Sequence, residues 1–106
     1  MFGPVQSGST ALRPFGSSVV DGFDFDFEST VSNTPTFANE LRSLMDADTS
    51  KPFYLSAAPQ CPFPDAADDS MLSGGVFFDM VFIQFYNNFC KYLLTRLIYE
   101  SYDIVL

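Results

Sequence analysis

In the stretch Asp21-Gly22-Phe23-Asp24-Phe25-Asp26-Phe27-Glu28, aromatic and acidic residues alternate without a break from Phe23 to Glu28. With Val19-Val20 before it, the alternation puts Val20, Gly22, Asp24, Asp26 and Glu28 on one parity and Val19, Phe23, Phe25 and Phe27 on the other. A period of two is the mark of a strand, here one with two unlike faces. The aromatic face requires a cover. The other face carries three carboxylates where a sheet buried on both sides wants Val or Ile, so it must line a cavity or a solvent-filled site.

Residues 1–18, rich in Gly, Pro and Ser, read as loop, with Thr10-Ala11-Leu12 fitting at most the end of a helix. After a polar turn at 29–33, Thr34 as cap and Pro35 at the first helical position introduce Phe37, Leu41, Leu44 and Met45 at helical spacing, predicting a helix over 35–46. A turn at 46–52 leads to a largely buried strand at 53–58, and the prolines of 59–64 make a stiff loop. A short helix over 65–72 ends at Gly74-Gly75, and a third strand covers 77–86. Strands alternating with helices at this spacing predict an α/β fold, a parallel sheet with helices on one face. The mouth of an eight-stranded barrel offers the cavity that the acidic face needs, but such a barrel takes about 250 residues to close. The 106 residues here are less than half of that.

Composition narrows the function. A hydrophobic content of 47% with thirteen phenylalanines belongs to a folding chain, and the length allows one domain. Net charge is −8 with five basic residues and no histidine. That excludes the phosphate-neutralising footprint of a nucleic-acid binder and argues against anionic membranes. The apolar runs near 76–83 and 92–98 are too short and too interrupted to span a bilayer, and the first residues carry neither a basic region nor an apolar core of a targeting peptide. Cys61 and Cys90 are too few for a zinc site without histidine, and no cofactor or metal is expected.

Asp24, Asp26 and Glu28 project to one side of an extended strand at steps of roughly 6.5 Å. Three like charges in a row repel, and such a row drives its pKa values apart, leaving one group able to hold a proton and another anionic. Glycosidic acid catalysis has that requirement, and Glu28, nearest the open end, is the natural donor. A solvated strand face is the plain alternative. A calcium loop fails because Phe25 and Phe27 fill the positions between ligands, no sharp-turn Gly follows, and Pro35 occupies the twelfth place, where Glu is needed.

Asp21 to Glu28 matches at every defined position the DGxDxDxE signature of glycoside hydrolase family 18. Two further segments resemble the plant and fungal class III, hevamine-type chitinases of that family: Tyr54-Leu55-Ser56-Ala57-Ala58-Pro59-Gln60-Cys61-Pro62-Phe63-Pro64-Asp65 and Gln84-Phe85-Tyr86-Asn87-Asn88. The resemblance implies a (βα)8 TIM barrel, of which this chain is an internal piece holding about strands 4 to 6. It implies a partial catalytic domain over 1–90 and substrate-assisted, retaining hydrolysis of β-1,4-linked N-acetylglucosamine polymers, an extracellular activity on chitin or its oligosaccharides. Glu28 would protonate the leaving oxygen. Asp26 would hold the acetamido group, and Asp24 would share a proton with Asp26. Tyr86 would contact the acetamido group by its hydroxyl, with Gln84 and Asn87 binding substrate, while Asp21 and Gly22 read as structural, Gly22 leaving room in the barrel lumen. The same likeness pairs Cys61 with Cys90 in a disulfide. Residues 91–106 depart from the family and read as an amphipathic helical tail. A noncatalytic or degenerate chitin-binding relative is the alternative, and three strands with two open edges are expected not to turn over chitin alone at a family-like rate.

Overall fold

In the computed structural model, which describes residues 2–5 and 7–90, the order is strand, helix, strand, helix, strand: β1 (Gly22–Phe25), α1 (Thr34–Ala47), β2 (Tyr54–Ala57), α2 (Asp69–Leu72) and β3 (Met80–Val81). All pairing is parallel, in the order β1-β2-β3, with Gly22 opposite Tyr54, Asp24 opposite Ser56, and Ser56 opposite Met80. The helical tail expected over 91–106 lies outside the described residues. Among the described residues no helix is long and apolar enough to cross a membrane.

Each strand is shorter than its alternating pattern, for an identifiable reason. The ladder between β1 and β2 runs from Tyr54 N–H to the Asp21 carbonyl and on to Ala58 N–H and the Phe25 carbonyl. The next donor in that register is Gln60 N–H, and it turns instead to the Asp65 carboxylate at 2.6 Å. Phe27 is thereby left outside the ladder, and β1 ends at Phe25. Pro59 brings no N–H to the opposite edge of β2, so pairing with the third strand lapses after Phe82 and resumes as an isolated bridge between Gln60 and Gln84. The short helix is also shorter than its pattern. Asp65 caps a single turn ahead of it, its Oδ1 accepting the N–H groups of Ala67 and Asp68 and its carbonyl the N–H of Asp69, and α2 itself begins at Asp69.

The core lies on the aromatic face. Phe25, Leu55, Ala57 and Phe53 pack with Ala38 and Met45 of α1 and with Met71 and Val76, and the Phe25 ring meets Phe37 and Phe78 edge to face at 5.9 and 6.1 Å. On α1 Ala38 and Met45 are buried and Leu41 is partly buried against the core, whereas Phe37 and Leu44 are more than half exposed; Leu41, Phe37 and Leu44 line an apolar groove of about 310 Å³ shared with Phe2, Phe15 and Val20. Thr34 is not the cap expected of it. Asn33 takes that place with a left-handed backbone, φ 63°, and the Thr34 hydroxyl is bonded to Ser70 at 3.1 Å, joining α1 to α2. Arg42 secures the other end of α1. Its guanidinium donates to Asp46, to Asp79 at 2.9 Å and to the Phe53 carbonyl, while Asp79 also accepts the Leu55 N–H at 2.7 Å.

Gly22 has a different task from the one its sequence position implies. A Cβ built there would overlap the Tyr54 carbonyl of the neighbouring strand rather than fill the space over the acidic face. Its lack of a side chain is what lets β1 and β2 approach. Gly22→Ala is therefore expected to lower stability by about 1–3 kcal/mol, since relief requires the two backbones to part. Chemical unfolding of parent and variant checks this, and equal midpoints would contradict the close approach.

Candidate functional site

The polar face of the sheet gathers the carboxylates, each held differently. Asp24, on β1, accepts the Ser56 hydroxyl at 2.5 Å from the position directly opposite it on β2. Asp26, one residue past the strand, accepts the Gln84 side-chain amide at 2.8 Å. The same amide donates to the Ala58 carbonyl at 2.6 Å, so Gln84, only 6% exposed, fixes where the Asp26 oxygen points. No hydrogen bond joins Asp24 to Asp26 among the described residues; each is tied across the sheet instead. Glu28 stands three residues beyond the strand, exposed, outside every side-chain hydrogen bond among the described residues, on the wall of a cavity of about 240 Å³.

Gln84 is itself anchored. Its carbonyl accepts the Cys61 N–H at 3.0 Å and the Asn88 side-chain amide at 2.9 Å, and Asn88 in turn accepts the Cys90 N–H. Cys61 and Cys90 form a disulfide, with their Cα atoms 6.0 Å apart, closing the loop that ends beside the site. Tyr86 is 61% exposed and Asn87 adopts a left-handed turn conformation, φ 57°; neither makes a side-chain hydrogen bond among the described residues. The geometry thus joins Asp24 to Ser56 and Asp26 to Gln84, and leaves Glu28, Tyr86 and Asn87 untethered.

Ser56, Asp65 and Asn88 lie in the family-like segments of the sequence without a site role assigned to them, and Asp68 lies outside those segments. Ser56 and Asn88 act through register and turn geometry, which no spacing rule supplies. Asp65 is buried yet held below the usual carboxylate range, because burial, which works against it, is outweighed by bonds from the N–H groups of Asp68, Ala67 and Gln60. Asp68 shows the reverse. It is 0% exposed, both carboxylate oxygens lack a partner among the described residues, and burial pushes its pKa from 3.8 up to about 6, helped by the charges of Asp65, Asp26 and Asp24. Among the described residues no three His, Cys, Asp or Glu side chains are grouped to hold a metal ion.

A folded-state pKa above the ordinary value means that the fold prefers Asp68 protonated. The folded state then binds more protons than the unfolded one between pH 3.8 and about 6, and stability falls as pH rises through that window. Asp68→Asn removes the charge that must otherwise be buried. The melting temperature of the variant relative to the parent should rise by several degrees between pH 4 and pH 7, and a difference independent of pH would contradict the assignment.

No protein-family model matches the chain. Among curated proteins it is 63% identical over 90 residues to a class III chitinase of Arthroderma benhamiae, covering 84% of this chain and 27% of that protein. Among solved structures it is similar to ICChI chitinase from Ipomoea carnea, at 39% identity and a TM-score of 0.64, over 82% of this chain and 30% of that one. It is similar also to a xylanase and α-amylase inhibitor protein, XAIP-II, from Scadoxus multiflorus, at 37% identity and a TM-score of 0.66, over 81% of this chain and 30% of the other. The chain spans 27% of the length of that chitinase and between 12% and 28% of the length of other curated chitinases it matches.

Proposed function

We propose, for a chain that belongs to the class III chitinases of glycoside hydrolase family 18, that residues 1–90 are part of the catalytic domain of a retaining chitinase whose proton donor is Glu28. In this reading β1, β2 and β3 are about the fourth to sixth strands of an eight-stranded barrel, whose other elements close the sheet edges and the apolar groove along α1. The protein acts on chitin or N-acetylglucosamine oligosaccharides outside the cell.

The observation that carries the reading is the graded tethering of the three carboxylates. Asp24 is bonded from the adjacent strand and Asp26 from Gln84, so their oxygens are fixed before any ligand arrives, while Glu28 is free at a cavity wall. A proton donor must reach the glycosidic oxygen and later take a proton back, which suits an untethered carboxyl group. An orienting group must stay still, which suits Asp26. One Asp26 oxygen is bonded to Gln84 and the other remains for the acetamido N–H of the substrate. The acetamido oxygen then bonds to the anomeric carbon as the glycosidic bond breaks, and the Glu28 proton passes to the leaving oxygen. Asp26 balances the positive charge of the resulting oxazolinium ion. Water next adds to the anomeric carbon as that carbon's bond to the acetamido oxygen breaks, the water's proton returns to Glu28, and configuration is retained. Tyr86 and Asn87, both exposed beside Gln84 on the chain, complete the polar contacts to the acetamido group and the sugar.

A noncatalytic or degenerate chitin-binding relative is the second reading, and the likeness to a protein named as an enzyme inhibitor fits its noncatalytic part. Exchange of residues 2–90 for the matching segment of the Arthroderma benhamiae chitinase separates the two. Glu28→Gln in that protein should lower kcat on chitin oligomers by at least about 10²-fold with KM little changed, because only proton donation is removed. Steady-state kinetics on a fluorogenic chitobioside measures this. Retained turnover would take Glu28 out of the mechanism, and an inactive parent with intact sugar binding would favour the second reading.

A further inference from the structure

Gln84 meets the site with its side chain and the rest of the fold with its backbone. Its side-chain amide donates to Asp26 at 2.8 Å and to the Ala58 carbonyl at 2.6 Å, and the residue is buried. Where that amide points depends on the Gln84 backbone, and a closed circuit of bonds holds it. The Gln84 carbonyl accepts the Cys61 N–H at 3.0 Å and the Asn88 side-chain amide at 2.9 Å. Asn88 Oδ1 accepts the Cys90 N–H at 3.0 Å, and Cys90 returns to Cys61 through the disulfide. Both lone pairs of the Gln84 carbonyl are thereby used. The circuit frames the turn that carries Tyr86 and Asn87, two exposed residues.

Asn88 has the most demanding chemistry in this circuit. It donates to a carbonyl four residues back and accepts an N–H two residues ahead, so its nitrogen and its oxygen serve opposite tasks at once. An aspartate has the same shape but presents two acceptors, and it would set a carboxylate against the Gln84 carbonyl. The left-handed backbone of Asn87, φ 57°, a conformation that Asn tolerates better than most residues, turns the chain so that the next side chain reaches back to Gln84. A partly buried amide committed at both ends to backbone groups of its own segment holds that segment in one shape.

We propose that Asn88 is a positioning residue of the site: by closing residues 84–88 into one turn it fixes the Gln84 backbone, and through the Gln84 amide the direction of the Asp26 carboxylate. It acts through Gln84 and touches no substrate. The assignment rests on Asp26 being the group that orients the acetamido substituent. The same turn sets Tyr86 and Asn87 relative to Asp26, so one side chain keeps three polar groups of the site in a common arrangement. Groups ordered before a ligand arrives lose less entropy on binding and on reaching the transition state.

Two variants of the 106-residue chain, followed by amide proton exchange in magnetic resonance, test the tether without requiring turnover. Asn88→Ala removes both bonds, whereas Asn88→Asp removes only the donation to Gln84, since its oxygen can still accept the Cys90 N–H. In both, the Gln84 side-chain amide protons should exchange with water about tenfold faster, while the Leu55 and Met45 amides of the core keep their protection. In the protein whose matching segment is replaced by residues 2–90, the Arthroderma benhamiae chitinase, Asn88→Asp should lower kcat on the fluorogenic chitobioside about tenfold with KM within about twofold, because Asp26 balances charge that develops only in the transition state. Unchanged exchange at Gln84 overturns the proposal, and so does an equal loss of protection at Leu55 and Met45, which marks a general loosening of the fold. Faster exchange with kcat unchanged overturns the effect on Asp26. A replaced protein inactive before any change at Asn88 counts against the catalytic reading alone, and the exchange measurement then decides the tether by itself.

Discussion

The approach of β1 to β2 at Gly22 is the constraint on which the rest depends. Pairing of Gly22 with Tyr54 sets the register that puts Asp24 opposite Ser56 and Phe25 opposite Ala57. A slip by one residue would turn the phenylalanines toward the polar side and the carboxylates into the core, so the burial of Phe25 and the bonding of Asp24 are specified together. A side chain at position 22 would meet the Tyr54 carbonyl and weaken both.

From that pairing the polar face becomes progressively freer along the chain. Asp24 is in the sheet, Asp26 is just past it and held by one amide, and Glu28 is in the loop. Asp65 produces this gradient by drawing the Gln60 N–H away from the ladder, ending β1 where it does, and by ordering the loop that carries Phe63. One buried carboxylate therefore shapes both the site and its neighbouring cavity. Asp68, behind it, is the counterpart that finds no partner among the described residues, and its protonation near pH 6 couples the loop to the charge of Asp24 and Asp26. Reciprocity of such coupling means that whatever changes charge at the carboxylates of β1 also acts on the loop.

The sequence exposed the order of elements, the parallel pairing and the sides of β1, because alternation of Asp with Phe is a strong periodic signal. The buried partners Ser56 and Gln84 differ in how they could be read. Gln84 stood out through its motif, whereas Ser56 matters only through the register, which no single segment encodes. Strand lengths were overestimated at 19–28 and 77–86 for a shared reason. Periodicity cannot register that an N–H is diverted to a side chain, as at Gln60, or missing, as at Pro59. Gly22 was assigned to the wrong neighbour because its conflict is with a backbone atom of another strand. Asp68 gave no sign, since an aspartate in a run of acidic residues looks solvated until the fold closes over it.

The central claim is that the acidic face of β1 receives an amino sugar with Asp26 at the acetamido group and Glu28 at the bond to be cut. A crystal structure of residues 2–90 within the barrel of the Arthroderma benhamiae relative, carrying Glu28→Gln and soaked with an N-acetylglucosamine oligomer, tests it most directly. The account predicts an acetamido N–H on Asp26 and the glycosidic oxygen within hydrogen-bond reach, about 2.6–3.2 Å, of the side chain at position 28. A sugar bound with that oxygen out of reach of position 28, or with its acetamido group away from Asp26, would contradict it.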